Sequence, residues 1–194
     1  MDPDAGEGGL SPRLFLVAPE HGAGFKACLE AACAAGDVAS LLIPSGSAQE
    51  LTPVAQSLGL AVLVMGLTPY APADGLHVDA TAEAVTAARH SVGRDGIVGA
   101  YAGGSRHFAM EAAEAGADYV ALSQNARPMG GEPIIQWWAN VFQIPCVAFD
   151  PVAAAELDIL LPQTPDFIRP LDAMWEGPEI ARRIVAELTQ HLKK

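Results

Sequence analysis

The residues best suited to hold a small anion lie in the segment YAGGSRH, residues 101–107. Gly103 and Gly104 let the backbone approach a ligand closely, Ser105 can cap the helix that follows, and a helix N-terminus attracts negative charge. An ordinary strand-to-helix turn uses the same residue types, because paired glycines are common in turns. The segment is therefore a candidate phosphate site, with a purely structural turn as the more frequent alternative.

A second polar segment, SQNARPMGGEP at residues 123–133, carries Ser123, Gln124 and Arg127. Loops that are fixed on a rigid scaffold often carry function, and a loop of this length can cover a ligand as a lid. A surface connection without a role explains the same composition equally well. We treat these three side chains as candidate ligand groups.

Isolated charged and histidine side chains complete the set of candidates. Asp79, Asp150 and Arg169 each follow or end a short apolar run, where parallel α/β folds place their ligand groups. His77 lies within such a run and is predicted to be a hydrogen-bonded core histidine, with acid–base chemistry as the alternative. The spacing of His, Cys, Asp and Glu singles out no metal site, although a barrel could bring Glu20, Asp79 and Asp150 to one cation.

The elements that position these residues are eight short apolar runs separated mostly by Ala-rich, helix-forming stretches. Continuous apolar runs are typical of strands buried on both faces of a parallel sheet. The runs begin at Leu14, Val38, Ala61, Gly75, Ile97, Tyr119, Cys146 and Phe167. Helices are predicted at residues 25–35, 81–90, 106–115 and 178–192.

Eight strands spaced by roughly 20–25 residues predict an α/β fold, a small (β/α)₈ TIM barrel. The third crossover is truncated, since residues 68–73 leave room only for a loop between two runs. Residues 158–161 (DILL) could form a further strand. The chain is also about 50 residues shorter than a typical barrel, so a flavodoxin-like open sheet stays an alternative.

Composition restricts the class of ligand and the number of domains. The chain has 194 residues, 51% of them hydrophobic, and 11 basic against 23 acidic side chains give a net charge of −12. This length and apolar content predict one folded domain at residues 13–194. Strong acidity excludes nucleic acid and anionic membranes as expected partners, because both require clustered Lys and Arg.

The first twelve residues, 1–12, are acidic and glycine-rich and are predicted to be a disordered leader. They lack the basic and apolar regions of a signal peptide. The uncharged stretch at residues 51–73 contains three prolines and predicts no membrane span. Three cysteines without CxxC spacing indicate a reducing, cytoplasmic setting.

Four strings in chain order, ADGLHVDATAEAVTAAR, IVGAYAGGS, EAGADYVALS and IPCVAF, resemble the thiamine phosphate synthase and thiazole tautomerase family. The most specific parts are residues 74–78 and 114–120. The resemblance implies a (β/α)₈ barrel that is often dimeric. It also implies a Mg²⁺-dependent reaction in which an aminopyrimidine carried on pyrophosphate is joined to a thiazole phosphate, with loss of pyrophosphate.

The catalytic motifs of that family do not recur in this chain. The Gln-Leu-Arg-x-Lys after strand two is replaced by LLIPS, residues 41–45, and the Asn-Asp-Arg after strand three by MGL, residues 65–67. Gly-Gln-x-Asp after strand four becomes DATA, residues 79–82, and the phosphate-binding Gly-Gly-Ile after strand seven becomes DPV, residues 150–152. Gln124 lies nearest to the position of the tautomerase histidine.

These observations predict a thiamine phosphate synthase-like barrel that binds a small phosphorylated or heterocyclic metabolite of thiamine metabolism. Condensation activity is not expected, because pyrophosphate departure needs cations and a metal held by carboxylates. Magnesium is implied only by the resemblance. The alternative is a non-catalytic metabolite sensor or partner subunit on the same scaffold. Adjacent Trp137 and Trp138 cannot both face one interior, so a homodimer contact is a further expectation.

Overall fold

A computed structural model describes residues 11–20, 24–126 and 131–193. Eight strands in chain order form a closed barrel, in which each strand pairs in parallel with its neighbours and the last strand pairs with the first. The predicted barrel is confirmed, and this closure excludes the open-sheet alternative. The strands are β1 (Arg13–Val17), β2 (Val38–Ile43), β3 (Ala61–Met65), β4 (Gly75–Asp79), β5 (Ile97–Gly103), β6 (Tyr119–Leu122), β7 (Cys146–Val152) and β8 (Phe167–Pro170).

Helices cover the outside of the barrel, and the four predicted helices are confirmed to within a few residues. In the described ranges they are α1 (Phe25–Cys33), α2 (Ala48–Ser57), α3 (Ala82–Val92), α4 (Arg106–Glu114), α5 (Ile134–Val141), α6 (Leu157–Leu160) and α7 (Pro178–Leu192). None of them is long and apolar enough to cross a bilayer. Residues 1–10 of the predicted leader lie outside the described residues.

The segment at residues 158–161 is not a strand, because it belongs mainly to the short helix α6. Leu157 and Leu160 are buried while Asp158 and Ile159 between them are exposed. Burial at a spacing of three residues is the pattern of a helix rather than of a strand.

The third crossover is a loop, as predicted. Between the end of β3 at Met65 and the start of β4 at Gly75 the chain makes only bends and turns. The Gly66 amide donates to the His77 carbonyl at 2.8 Å, and the Asp74 amide donates to the Val62 carbonyl at 2.8 Å. These bonds hold the loop against the two strands that it joins, so the barrel stays closed without a helix at this point.

Apolar side chains divide into two sets because successive strand residues point to opposite faces. The larger set fills the space between the barrel and its helices, with Trp138 of α5 fully buried there. The smaller set occupies the barrel interior and consists of Phe15, Leu42, Leu63, Tyr119, Ala121 and Val147. His77 is also buried and contacts Tyr119 in this interior.

At the amino-terminal end of the barrel, aspartates cap the beginnings of strands. Each is the residue before an even-numbered strand, and it accepts a backbone N–H at the start of the preceding odd-numbered strand. The pairs are Asp74 with Val62 at 2.7 Å, Asp118 with Val98 at 2.7 Å, and Asp166 with Cys146 at 2.8 Å. Asp37 before β2 instead pairs with the Arg13 guanidinium of β1 at 2.8 Å. The aspartates therefore tie each odd strand to the next.

Removal of one such cap tests its contribution. In Asp118→Ala, the buried N–H of Val98 and the Arg89 guanidinium both lose their carboxylate partner. We expect the free energy of unfolding to fall by roughly 1–3 kcal/mol, the usual cost of an unsatisfied buried donor. Urea unfolding measures the change. Asp118→Asn is the matched control, because it keeps an acceptor oxygen and should recover at least half of the loss; equal stability of the Ala variant and the wild type would contradict the assignment.

Candidate ligand-binding site

A cavity of about 450 Å³ opens at the carboxyl ends of the strands, beside β2 to β5 and β7. Its wall is mainly apolar and includes Met65, Leu67, Tyr101 and Phe149, while the titratable groups at its edge and floor come from Asp79 and His77. In (β/α)₈ barrels ligands bind at this end. Depressions of about 280, 390 and 590 Å³ lie at the opposite end, among residues at the strand beginnings.

A column of rings runs from the barrel interior to this cavity. It contains Phe15, Tyr119, His77, Phe149 and Tyr101, in that order. Successive ring centroids lie 5.7, 5.6, 5.6 and 5.2 Å apart. The last member, Tyr101, is 40% exposed. Aromatic rings at these separations pack favourably, so the exposed end of the column offers a stacking surface to a planar ligand.

His77 is the buried polar group beneath the cavity, and the prediction of a hydrogen-bonded core histidine is confirmed. Its Nδ1 lies 2.6 Å from the Tyr119 hydroxyl oxygen. Its Nε2 is buried and has no hydrogen-bond partner among the described residues. Burial lowers the pKa of His77 to about 4, so the ring is neutral near pH 7. One ring nitrogen is therefore left for a ligand to satisfy.

Three of the predicted ligand groups contact one another: Ser123, Gln124 and Asp150. Ser123 and Gln124 follow β6, and Asp150 lies near the end of the neighbouring β7. The Ser123 hydroxyl and the Asn125 amide donate to one Asp150 carboxylate oxygen at 2.7 and 2.9 Å. The Gln124 side chain donates to the Asp150 carbonyl at 2.7 Å and accepts from its amide at 3.1 Å. This cluster joins two loops, and its bonds occupy groups that a ligand would otherwise use.

The turn formed by Gly103, Gly104 and Ser105 leads into α4, with Ser105 as its N-cap residue. Gly103 has a φ of 54°, which glycine adopts readily, and the Ser105 hydroxyl accepts from the Phe108 amide at 3.2 Å. The predicted helix cap is confirmed. A side chain at Gly104 would overlap Ala126. The remaining amides of the first helical turn lack intrahelical acceptors, so phosphate binding here stays a prediction.

Arg169 is hydrogen-bonded within the protein through both terminal nitrogens, while its Nε is buried without a partner among the described residues. It donates to both Asp172 carboxylate oxygens at 2.8 Å and to the Phe149 carbonyl at 3.3 Å. Its guanidinium carbon also lies 5.2 Å from the centroid of the Phe149 ring. Arg169 therefore contacts both the ring and the backbone carbonyl of Phe149. Arg127 lies outside the described residues, and its role stays a prediction.

The side chains at the mouth do not fit the magnesium ion that the resemblance implies. Met65 and Leu67 line the cavity after β3, and Asp79 is the only carboxylate among the residues that form this cavity wall. Within the described ranges, no three His, Cys, Asp or Glu side chains are grouped as metal ligands. Glu20, Asp79 and Asp150 thus do not form a group of metal ligands among the described residues, and one Asp150 carboxylate oxygen instead accepts from Ser123 and the Asn125 amide.

Some residues of the site were not among those predicted from the sequence. These residues are Phe149, Tyr119 and Asn125, which lie inside or beside the runs that the sequence predicts as strands. Alternation in GLHVD, YVALS and CVAFD places His77, Tyr119 and Phe149 on the inward face of their strands, which was the available signal. The hydrogen bond of the Asn125 amide depends on loop geometry and has no sequence signal.

The strands define a (β/α)₈ barrel with a cavity at their carboxyl ends. The family model described as thiamine monophosphate synthase matches residues 14–161. This chain belongs to the thiamine monophosphate synthase family.

Relatives match along most of the chain. Thiamine-phosphate synthase of Hyphomonas neptunium is 32% identical over 93% of this chain and 95% of its own length. The enzyme of Rhodospirillum centenum is 29% identical over 93% of this chain and 98% of its own length. The structure of thiamine phosphate pyrophosphorylase from Pyrococcus furiosus has a TM-score of 0.75 at 18% identity and covers 94% of this chain and 96% of that one. The structural match supports the fold alone.

The lowered pKa of His77 predicts a pH dependence of stability. The unfolded ring has a pKa of 6.5 and the folded ring about 4, so between these values the unfolded state binds more protons. The free energy of unfolding should therefore rise as pH increases from 4 to 6.5, by up to roughly 3 kcal/mol from this group. Urea unfolding across this range measures it.

The variant His77→Gln should lose this contribution to the pH dependence. An unchanged profile in His77→Gln would show that the ring is not held neutral by burial.

Proposed function

We propose that this chain binds a small heterocyclic metabolite of thiamine metabolism in the cavity at the barrel mouth, and that it does not perform the family's condensation at an ordinary rate. The observation that carries the proposal is the combination of an apolar cavity, an aromatic ring at its edge and an unpartnered nitrogen of a neutral histidine beneath it. A planar, uncharged ring with one polar edge atom is complementary to these three features.

The residues that line the cavity do not stabilise a departing pyrophosphate. A leaving pyrophosphate needs cations or a metal to neutralise its developing charge. The described cavity wall supplies no basic side chain other than neutral His77, and the nearby Arg169 is already paired with Asp172. Asp79 at the edge repels an anion. Loss of the condensation activity follows from this electrostatic arrangement.

A phosphate on the ligand has one candidate location beside the cavity. Tyr101 ends the ring column, and Gly103, Gly104 and Ser105 follow it directly at the start of α4. The positive end of the helix dipole favours an anion there. A phosphorylated heterocycle could therefore place its ring on Tyr101 and its phosphate at this turn. A non-catalytic sensor would bind its metabolite in the same way, and no feature of the described residues supports the partner-subunit alternative.

Two further expectations belong to the same proposal. A cytoplasmic setting is consistent with Cys28, Cys33 and Cys146, none of which forms a disulfide within the described chain. The homodimer expected from the tryptophan pair depends on Trp137, since Trp138 is fully buried. The Trp137 ring is partly covered by the Arg106 guanidinium at 4.7 Å. Self-association through α5 therefore stays a prediction.

Ligand binding can be tested by calorimetry with 4-aminopyrimidine, a thiazole alcohol, its phosphate, and inorganic pyrophosphate. We expect the neutral heterocycles to bind and pyrophosphate to bind weakly or not at all. Tyr101→Ala should weaken heterocycle binding roughly fivefold, because it removes about 1 kcal/mol of stacking. Phe108→Ala is the matched control, since Phe108 is similarly exposed but does not line the cavity. Preference for pyrophosphate would contradict the proposal.

The condensation itself is a separate test. With the pyrimidine pyrophosphate, the thiazole phosphate and Mg²⁺, we expect turnover at least about 1000-fold below that of a relative carrying the complete motifs, because each lost electrostatic stabiliser costs roughly 10²–10³ in rate. Formation of thiamine phosphate is measured directly. Turnover at the relative's rate would show that residues outside the described cavity wall replace the missing cations.

A further inference from the structure

A hydrogen-bonded pair of side chains, Tyr119 and His77, lies beneath the cavity, and the proposed function uses only the second nitrogen of His77. Tyr119 and His77 lie in one row of the barrel, in register with Gly99 between them. Gly99 has no side chain, and a Cβ added there would overlap the Tyr119 ring. The absence of that side chain lets the Tyr119 hydroxyl reach across β5 to His77 Nδ1 at 2.6 Å.

Both rings of the pair are fixed in orientation by their neighbours. The His77 ring is stacked on Phe149 with an interplanar angle of 13°, and the Tyr119 ring packs against Phe15 with centroids 5.7 Å apart. His77 is 7% exposed and Tyr119 is 6% exposed. Stacking fixes the plane of the His77 ring, and the hydrogen bond to the Tyr119 hydroxyl places Nδ1 on that side. Nε2 is then the nitrogen without a partner among the described residues, on a side chain that lines the cavity.

The position of the proton follows from the partners of the hydroxyl. Burial raises the pKa of Tyr119 well above its usual value, so the hydroxyl keeps its hydrogen. Among the described residues, Nδ1 is the only hydrogen-bond partner of this hydroxyl. If Nδ1 carried the histidine proton, the hydroxyl hydrogen and the Nε2 lone pair would both be buried without partners. The Nε2–H tautomer leaves only the Nε2 proton without a partner among the described residues, and a ligand acceptor can satisfy it. Tyr119 therefore donates, Nδ1 accepts, and the proton of neutral His77 resides on Nε2.

We propose that Tyr119 is a positioning residue for ligand specificity: it holds His77 as the Nε2–H tautomer, so that the cavity floor presents a hydrogen-bond donor. This inference rests on the proposed function, namely that a heterocycle enters the cavity. A donor at the floor selects rings with an acceptor at their inner edge, such as an unprotonated ring nitrogen or a carbonyl oxygen. A ring of the same outline with C–H or N–H at that edge leaves Nε2–H unsatisfied and binds more weakly.

The tautomer can be measured without any ligand. Two-dimensional ¹⁵N–¹H spectra of the histidine rings near pH 7 distinguish a protonated from an unprotonated ring nitrogen. We expect His77 as Nε2–H in the wild type. Tyr119→Phe keeps the ring that packs on Phe15 but removes the donor, so the excess of Nε2–H should fall. Tyr70→Phe is the matched control, because Tyr70 lines a depression at the amino-terminal end of the barrel and not the cavity, and loss of its hydroxyl should leave the His77 signals unchanged.

Specificity is measured by calorimetry with 4-aminopyrimidine and aniline, which share an outline but differ in their ring nitrogens. The wild type should prefer 4-aminopyrimidine by roughly tenfold, and Tyr119→Phe should lose most of this preference. His77 found as Nδ1–H would overturn the inference and leave the proposed function intact. Equal binding of the two rings by the wild type would overturn the specificity claim alone. Binding of neither ring, with Nε2–H present, would overturn the proposed function and the specificity claim together.

Discussion

Closure of the eight strands leaves an interior only wide enough for a few side chains, and the arrangement at the mouth depends on how that volume is filled. Tyr119 is accommodated because Gly99 beside it has no side chain. The Tyr119 ring then supports His77, which in turn stacks on Phe149 below the cavity. The Tyr119 ring on β6 thus occupies space that a side chain at Gly99 on the neighbouring β5 would fill. The site at the mouth is therefore coupled to packing near the centre of the barrel.

This chain combines the barrel of its family with mainly apolar residues at the barrel mouth. The barrel, its strand order and its match to the thiamine monophosphate synthase family extend over most of the sequence. The residues at the carboxyl ends of the strands are not the motifs that the family resemblance implies. Apolar Met65 and Leu67 line the mouth, and Asp150 accepts hydrogen bonds from Ser123 and the Asn125 amide. Strand packing depends on the inward and outward faces of the barrel, whereas activity depends on a few loop residues. The loops can change without loss of the fold, which is why the fold alone does not fix the activity.

Hydrogen bonds at the two ends of the barrel have different roles. At the amino-terminal end, Asp74, Asp118 and Asp166 each satisfy a backbone amide of the preceding strand. At the carboxyl end, the Gln124 and Asp150 bonds join neighbouring loops, while His77 keeps one nitrogen without a partner among the described residues. Buried polar groups are normally satisfied, so the second nitrogen of His77 is consistent with the proposed ligand site.

The sequence by itself determined the positions of the eight strands along the chain, the loop in place of a third crossover helix, and the absence of the family's cationic motifs, because apolar runs and local residue types are properties of contiguous segments. It also placed Ser123, Gln124 and Asp150 at strand ends that meet. Only the tertiary structure decided that α6 is helical, that Arg169 is engaged by Asp172, and that Tyr119 reaches His77 across Gly99. The first two outcomes depend on local backbone geometry, which apolar runs and residue types leave open. The third joins residues 42 positions apart, which the closed barrel brings together.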